Sequence, residues 1–511
     1  MLLRKHKLTA VALLTLATGF THASALNTAT FATYTDIKDW DPAIAFSTEV
    51  IMLSNVYEPL VWYNPPGSKE TFSPALAKSW NVSDDGLTWT FQLRKGVQFH
   101  DGTPFNSQAA KSSIERTVSM KKGAYYIWPK MEISTPDANT LVIKTEKPSP
   151  IDLIASSQYG AYIYSPAAAD KGTKWFNQGN AAGTGPYQVT QWEKGQQVIL
   201  EQNEQYWGGW QDEQLDRVVL KYVSNPATQV QMIKAGDADF ISLPSADLVE
   251  SLAKHPDVKV IDTPSWKNSQ FLINTQKYPT DNLEFRKALL HAWDYQSVVD
   301  YIYAGGATIP SGIVPSTMWG AIEGQESPAF DLKQAKALLE QSGIPKKDWV
   351  LDAAYINSSE AYKNALLMYQ ENLRQIGVTL NLKPGPWGKI WNDAKNLKTA
   401  PNLQSMTWWP TYATPSDWLI GLFKTEESPS FNLSHYSNAN YDSLVDKGVA
   451  AEPTNKAQAS SYYQQAQQVL IDDAVAIFYA DLKGRIIHHK EIEGVTPNPA
   501  YAATFFYQLS K

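Results

Sequence analysis

The 511-residue chain contains no cysteine. That excludes a thiol nucleophile, a thiolate-held zinc or iron–sulfur centre, a disulfide framework and a lipid anchor on an N-terminal Cys. Beyond the N-terminal segment, no apolar run approaches the ~18 residues that a membrane-spanning helix needs. Basic surplus is also lacking: 44 Lys and Arg stand against 51 Asp and Glu, a net charge of −7. No general basic surface for nucleic acid is expected. There is no G-x-S-x-G elbow, no Walker P-loop, no G-x-G-x-x-G and no H-E-x-x-H. Gly183-Thr184-Gly185 runs straight into Pro186 and reads as a turn, not a dinucleotide loop. His488 and His489 are neighbours, so on a strand they face opposite ways, and His435 is isolated. No metal, cofactor or catalytic residue is expected.

What is present is a globular composition, 43% hydrophobic and 19% charged, in a chain too long for one core. At ~150 residues per domain, two or three domains are expected. The 18 Trp, 26 Tyr and 17 Phe can fill large cores and also offer flat surfaces on which a ligand stacks. Arg4, Lys5 and Lys7, the apolar run from Leu8 to Phe20, and Ala23-Ser24-Ala25 have the order of a secretory signal with cleavage after Ala25. The expectation is an exported protein, free in a periplasm and without a lipid anchor.

Strand and helix signals alternate through the rest, so the fold class is α/β. Leu87, Trp89, Phe91 and Leu93 form one face of a half-buried strand, with a partner strand expected from Val97 and Phe99 across the Lys95-Gly96 turn. His100-Asp101-Gly102 reads as a hairpin turn. A helix is predicted over 282–303, started by Asp281 and Glu284, with Phe285, Ala288, Leu289, Ala292 and Trp293 inward. Asp331 starts another, stopped by Gly343. Ala361, Ala365, Tyr369, Leu373 and Ile376 make a third stripe, followed by Gly377 and a strand with Val378, Leu380 and Leu382. Ala474 to Ala480 reads as a short buried strand.

One segment carries a more specific pattern. It runs Pro74-Ala75-Leu76-Ala77-Lys78-Ser79-Trp80, Asp85-Gly86-Leu87-Thr88-Trp89-Thr90-Phe91, Arg94-Lys95-Gly96-Val97 and Phe99-His100-Asp101-Gly102-Thr103-Pro104-Phe105, and continues to Glu115-Arg116. Asn55-Val56-Tyr57-Glu58-Pro59-Leu60 precedes it. Gly183-Thr184-Gly185-Pro186-Tyr187, Asn203, Tyr206-Trp207-Gly208, Gly236-Asp237-Ala238-Asp239, Phe285-Arg286-Lys287-Ala288-Leu289, Tyr436-Ser437-Asn438 and Tyr441-Asp442 follow in order. The series resembles the family 5 extracellular solute-binding proteins, the dipeptide- and oligopeptide-binding components of ABC importers. It spans essentially the whole chain after residue 25. Each matched residue also has a packing, turn or ion-pair role open to it, Arg94 and Asp101 among them, so the pattern speaks to fold more than to site.

The resemblance implies a large, type II periplasmic binding protein fold of two lobes. Lobe I would comprise 26–272 plus 480–511, with an extra subdomain over about 60–180, and lobe II would comprise 273–479. Two crossings, near 272 and 480, would act as a hinge. The protein would be a monomer that captures a small solute, a peptide or an oligosaccharide, and delivers it to a membrane permease without chemistry. The main reading is a short peptide or peptide-sized solute. An oligosaccharide or another uncharged, opine-like solute is the alternative, and a secreted hydrolase the distant one.

In peptide-binding members a G-W-x-x-D-Y-x-D-P segment of lobe II reaches the cleft, and its first Asp meets the ligand's amine. The matching segment here is Trp408 to Leu419, one residue shorter. Trp409, Tyr412 and Pro415 keep the pattern. Thr411 or Pro410 takes the place of the amine-binding Asp, and Thr414 that of the second. A hydroxyl does not replace a carboxylate opposite an ammonium. The ligand is therefore expected not to depend on a free amine, unless Asp417 compensates from a shifted position. Tyr125, Tyr126 and Trp128 occupy a loop where peptide binders place a ligand-facing Tyr. Trp387 follows a strand end where the family often has Trp, and Trp40 is expected at the cleft rim.

Overall fold

The computed structural model describes residues 26–34, 36–242 and 246–511, so the expected secretory signal lies outside the described residues. Among the described residues no helix is long and apolar enough to cross a membrane.

The strand Thr88–Leu93 buries Trp89, Phe91 and Leu93 and leaves Thr88, Thr90 and Gln92 half exposed, as its alternation requires. Its partners are Ala77–Val82 and Thr140–Thr145, with Met131–Asp137 completing a four-stranded sheet. The partner strand expected from Val97 does not form. Val97 and Phe99 are buried, but the chain doubles back at once: the Phe99 N–H donates to Thr103 O, and the Phe105 N–H to Val97 O. Asp101 Oδ1 accepts the Thr103 N–H and Gly102 has φ +80°, so His100-Asp101-Gly102 is the turn.

The largest sheet is built around two long antiparallel strands, Val258–Ile273 and Ala476–His489. At one end their neighbours are Phe240–Ile241, Thr28–Thr33, Arg217–Tyr222, Gln197–Gln202 and Tyr187–Glu193. At the other end, Asn268–Ile273 pairs with Leu403–Trp408, which leads to Val350–Ile356 and Thr379–Gly385. The register between the two long strands slips between Pro264 and Lys267, and again between Ser269 and Gln270. The segment 474–480 is thus the start of a strand twice as long as its apolar run, because beyond Asp481 one face turns to solvent.

Helices flank this sheet. Asn282, not Asp281, caps Leu283–His291 by accepting the Phe285 N–H. The helix stops before 303 because Asp294 caps a new turn, Tyr295–Ser297, that unwinds into Val298–Ile302. Phe285, Ala288, Leu289, Ala292 and Trp293 are all buried. Asp331 caps Leu332–Gln341 and Ser359 caps Glu360–Gln375. Gly377, at φ +88°, turns the latter into Thr379–Gly385, which lies parallel to Val350–Ile356.

The residues of the recurrent pattern hold the fold together. Glu58, buried in lobe I, accepts from Tyr206 Oη at 3.0 Å and Trp207 Nε1 at 2.8 Å. Among the described residues Arg94 makes no ion pair; its guanidinium lies 3.9 Å over the Trp207 ring. Asp101 likewise serves the turn and accepts from Ser165 Oγ. Gly183 and Gly185 are required by close approach: a Cβ on either would stand 1.9 or 2.7 Å from the Val56 carbonyl oxygen. Arg286 donates to the carbonyls of Asp473 and Thr280.

Candidate ligand-binding cleft

Val350–Ile356 runs parallel to both Thr379–Gly385 and Leu403–Trp408. Their C-terminal ends therefore meet at one edge of the sheet, the edge at which open α/β sheets bind ligands. Asn357, Trp387 and Trp409 follow those ends.

From Trp408 the chain forms a loop and enters the helix Ser416–Phe423. This loop meets the other lobe. Ser157 Oγ donates to Thr411 O at 2.6 Å, Gln158 Nε2 donates to Pro410 O at 3.0 Å, and Tyr126 Oη lies 3.0 Å from Thr411 Oγ1. Trp409 and Tyr412 pack against the apolar core of the 60–163 region. Beneath Thr411 lies Asp417. Its Oδ2 accepts the Thr411 N–H at 2.8 Å, and no cation reaches it among the described residues. Burial pushes this carboxyl up to about 7, against the pull of the Thr411 N–H. The structure thus puts a buried carboxylate, that of Asp417 in the first turn of the following helix, beside Thr411.

Tyr126 is 44% exposed as a residue, yet burial of its hydroxyl, with Asp417 nearby, raises its pKa. Phe46, edge-on at 6.3 Å, and Tyr125, also edge-on at 6.3 Å, frame it. The structure thus brings together Tyr125, Tyr126, Trp409, Thr411, Tyr412 and Asp417. Trp387 stands apart, stacked on Trp391 at 6.5 Å in a row that continues to Phe431 and Trp408. Two expectations are corrected. Trp40 is fully buried against Trp192 in the core of lobe I, at 5.0 Å, and is no rim residue. Trp128 is core as well, its Nε1 donating to Gly160 O at 2.8 Å. They differ from Tyr126 in facing away from the crevice, which residue type does not announce.

Sequence reasoning missed Phe46, Ser157 and Gln158, which lie in unpatterned loops. It also missed a buried group behind Tyr412. Glu452 accepts from Tyr463 Oη at 2.6 Å, and its carboxyl is pushed up to about 7, by burial first and by nearby Asp152 as well. A separate surface groove of about 490 Å³, between Glu284, His291, Gly312 and Ser327, shares no residue with the cleft.

Two lobes joined by paired strands, with hydrogen bonds closing a polar and aromatic crevice between them, define a binding protein of the periplasmic type. The chain belongs to the bacterial extracellular solute-binding proteins, family 5, whose model matches residues 71–430. It is 28% identical over 484 residues to the probable D,D-dipeptide-binding periplasmic protein DdpA of Escherichia coli (strain K12), covering 92% of this chain and 91% of that protein. It is 27% identical to heme-binding protein A of Haemophilus influenzae, covering 89% and 86%. Among solved structures, the periplasmic binding protein DppA of Helicobacter pylori in complex with peptide STSA matches with a TM-score of 0.80 and 25% identity, over 94% of this chain and 98% of that one. Members of this family are binding proteins rather than enzymes.

Proposed function

We propose that this protein captures short peptides with a free amino terminus in the periplasm and delivers them unchanged to the permease of an ABC importer. The observation that carries the reading is Asp417, a buried carboxylate without a cation at the junction of the lobes. A desolvated anion of this kind is costly unless a cation arrives. A ligand ammonium against Asp417 would return the carboxyl to its ionised form. Tyr126, Trp409 and Tyr412 supply flat walls for side chains. Peptide-binding relatives, and the bound peptide of the Helicobacter pylori protein, support the substrate class.

Closure would bend the paired strands where their register slips, at 264–267 and opposite it at 482–483. The hinge in this proposal lies within the strands, a few residues from 272 and 480, where the lobes are proposed to meet. Export by the 1–25 segment and action as a monomer are part of the same proposal. A second reading, an uncharged oligosaccharide, is favoured by the stacked row Trp387, Trp391 and Phe431.

The test is a thermal-shift screen of the mature protein against pooled di- to pentapeptides, their N-acetylated counterparts, and cello- and chito-oligosaccharides. A ligand at 100 times its Kd stabilises by about 2.7 kcal/mol. Stabilisation by the free peptides and not by the acetylated ones supports the proposal. Stabilisation by sugars alone replaces it with the second reading.

A further inference from the structure

Four successive carbonyls of the loop after Trp409 find their donors in two different places. Tyr412 O accepts the Thr414 N–H at 2.8 Å, and Ala413 O accepts from Trp319 Nε1 at 3.0 Å, both within lobe II. Among the described residues, Pro410 O and Thr411 O have donors only across the crevice, Gln158 Nε2 at 3.0 Å and Ser157 Oγ at 2.6 Å. Ser157, Gln158, Pro410 and Thr411 are all buried. A buried carbonyl without a donor is costly, so these two depend on lobe I whenever the lobes meet. The lobe I side is set in advance. Tyr501 Oη donates to Ser156 O at 2.9 Å, the Ala502 N–H to Gln158 Oε1 at 2.6 Å, and Tyr159 Oη to Ser47 O at 3.0 Å. With its oxygen held by Ala502, the Gln158 amide keeps its nitrogen turned to Pro410. The Ser157 hydroxyl has a second acceptor, Tyr159 O, also at 2.6 Å, whereas the Gln158 nitrogen has no other partner among the described residues.

We infer that Ser157 and Gln158 form a closure latch, a fork of two donors that holds Pro410 O and Thr411 O only while the lobes are together. They are positioning residues: they fix the loop that carries Trp409 and Tyr412, and they do not read the solute. Opening returns both carbonyls to water, so a contact that the solute never touches sets part of the time for which it is retained. Gln158 is the stronger prong, because Ser157 falls back on Tyr159 O when the lobes part. The latch rests on the two-lobed binding reading above and not on the choice of a peptide as the solute.

The experiment follows release of captured solute from the mature protein. Wild type, Gln158→Glu and Ser157→Ala are loaded with a mixed pool of random di- to pentapeptides and diluted, and the bound fraction of each peptide is followed by mass spectrometry. Gln158→Glu keeps an acceptor for the Ala502 N–H but, ionised, has no proton for Pro410 O. The expected result is faster release of every captured peptide by one common factor of about ten, as a buried carbonyl left without a donor should cost, with the rate of loading unchanged. Ser157→Ala should speed release by a smaller common factor, and it carries the test if Gln158→Glu does not fold. Unchanged release, or a factor that differs from peptide to peptide, overturns the latch and leaves the peptide reading standing. If the wild type takes up no peptide, the peptide reading fails and the same series is run with cello- and chito-oligosaccharides. A common factor there supports the latch, and its absence overturns the latch as well.

Discussion

Asp41 and Asp417 are both buried aspartates, and their surroundings differ in one respect. Asp41 is fully enclosed and fully matched: Arg116 Nη1 donates to Oδ1 at 2.8 Å, Nη2 to Oδ2 at 2.6 Å, and Thr173 Oγ1 to Oδ2 at 2.7 Å. Asp417 receives the Thr411 N–H, has the Thr411 and Trp408 side chains beside it, and meets no cation among the described residues. A bidentate pair neutralises its charge within the fold and fixes two segments, 41 and 116, to each other. An unmatched carboxylate contributes nothing comparable to stability and waits for a positive partner from outside. The comparison teaches that a buried charge signals function where its counter-charge is missing, not where it is merely buried.

The largest effect should come from unbalancing the matched site. Arg116→Ala leaves Asp41 ionised and enclosed, and should destabilise the protein by about 3–5 kcal/mol in denaturant unfolding. At the unmatched site the expected pattern is reversed. Asp417→Asn should leave unfolding stability equal or higher, but weaken the best peptide from the screen by about 2 kcal/mol or more in calorimetry. If Asp417→Asn instead destabilises as Arg116→Ala does, the two sites are alike and the contrast fails. Trp409→Ala should cost about 2 kcal/mol of binding, as loss of an aromatic anchor does. A loss of folding stability without loss of affinity would make Trp409 simply part of the lobe contact.

The smallest effect is the pH dependence. Burial pushes Glu58, Asp417 and Glu452 up to about 7, and Asp152 and Asp481 up to about 6. The folded protein then holds protons that the unfolded chain has released. Stability conferred by these groups is present at mildly acid pH and is lost as pH rises from roughly 4 through about 7. The ligand-free protein should melt at a higher temperature at pH 5.5 than at pH 8. Asp417→Asn should flatten that slope. A melting temperature that rises with pH would contradict the raised pKa of these buried carboxyls.

The fold was legible in the sequence because glycine close approaches, caps and core aromatics leave fixed spacings. The capped helices from Leu332 and Glu360 follow from Asp331, Ser359 and their apolar stripes. The two long strands were harder to read. Pro264 and Lys267 interrupt the first, and Ala474–Ala480 shows only the fully buried end of the second. In the cleft, the segment 408–418 and Tyr126 could be found, since loops rich in Trp and Tyr stand out. Asp417 could be named only as a stand-in for the missing loop carboxylate, because it lies beyond the loop in the first turn of the next helix. Trp40 and Trp128 misled for a simpler reason: an indole serves a core and a cleft equally well, and only its direction separates them.

The most direct measurement of the central claim is proton exchange on binding. Calorimetry at pH 7 with the best free-amine peptide, repeated in buffers of different ionisation enthalpy, reports the protons released. Burial holds the Asp417 carboxyl up at about 7, so an arriving ammonium should expel a fraction of a proton per site, and Asp417→Asn should abolish that release. Binding without proton release, or with the same release in Asp417→Asn, would contradict the account.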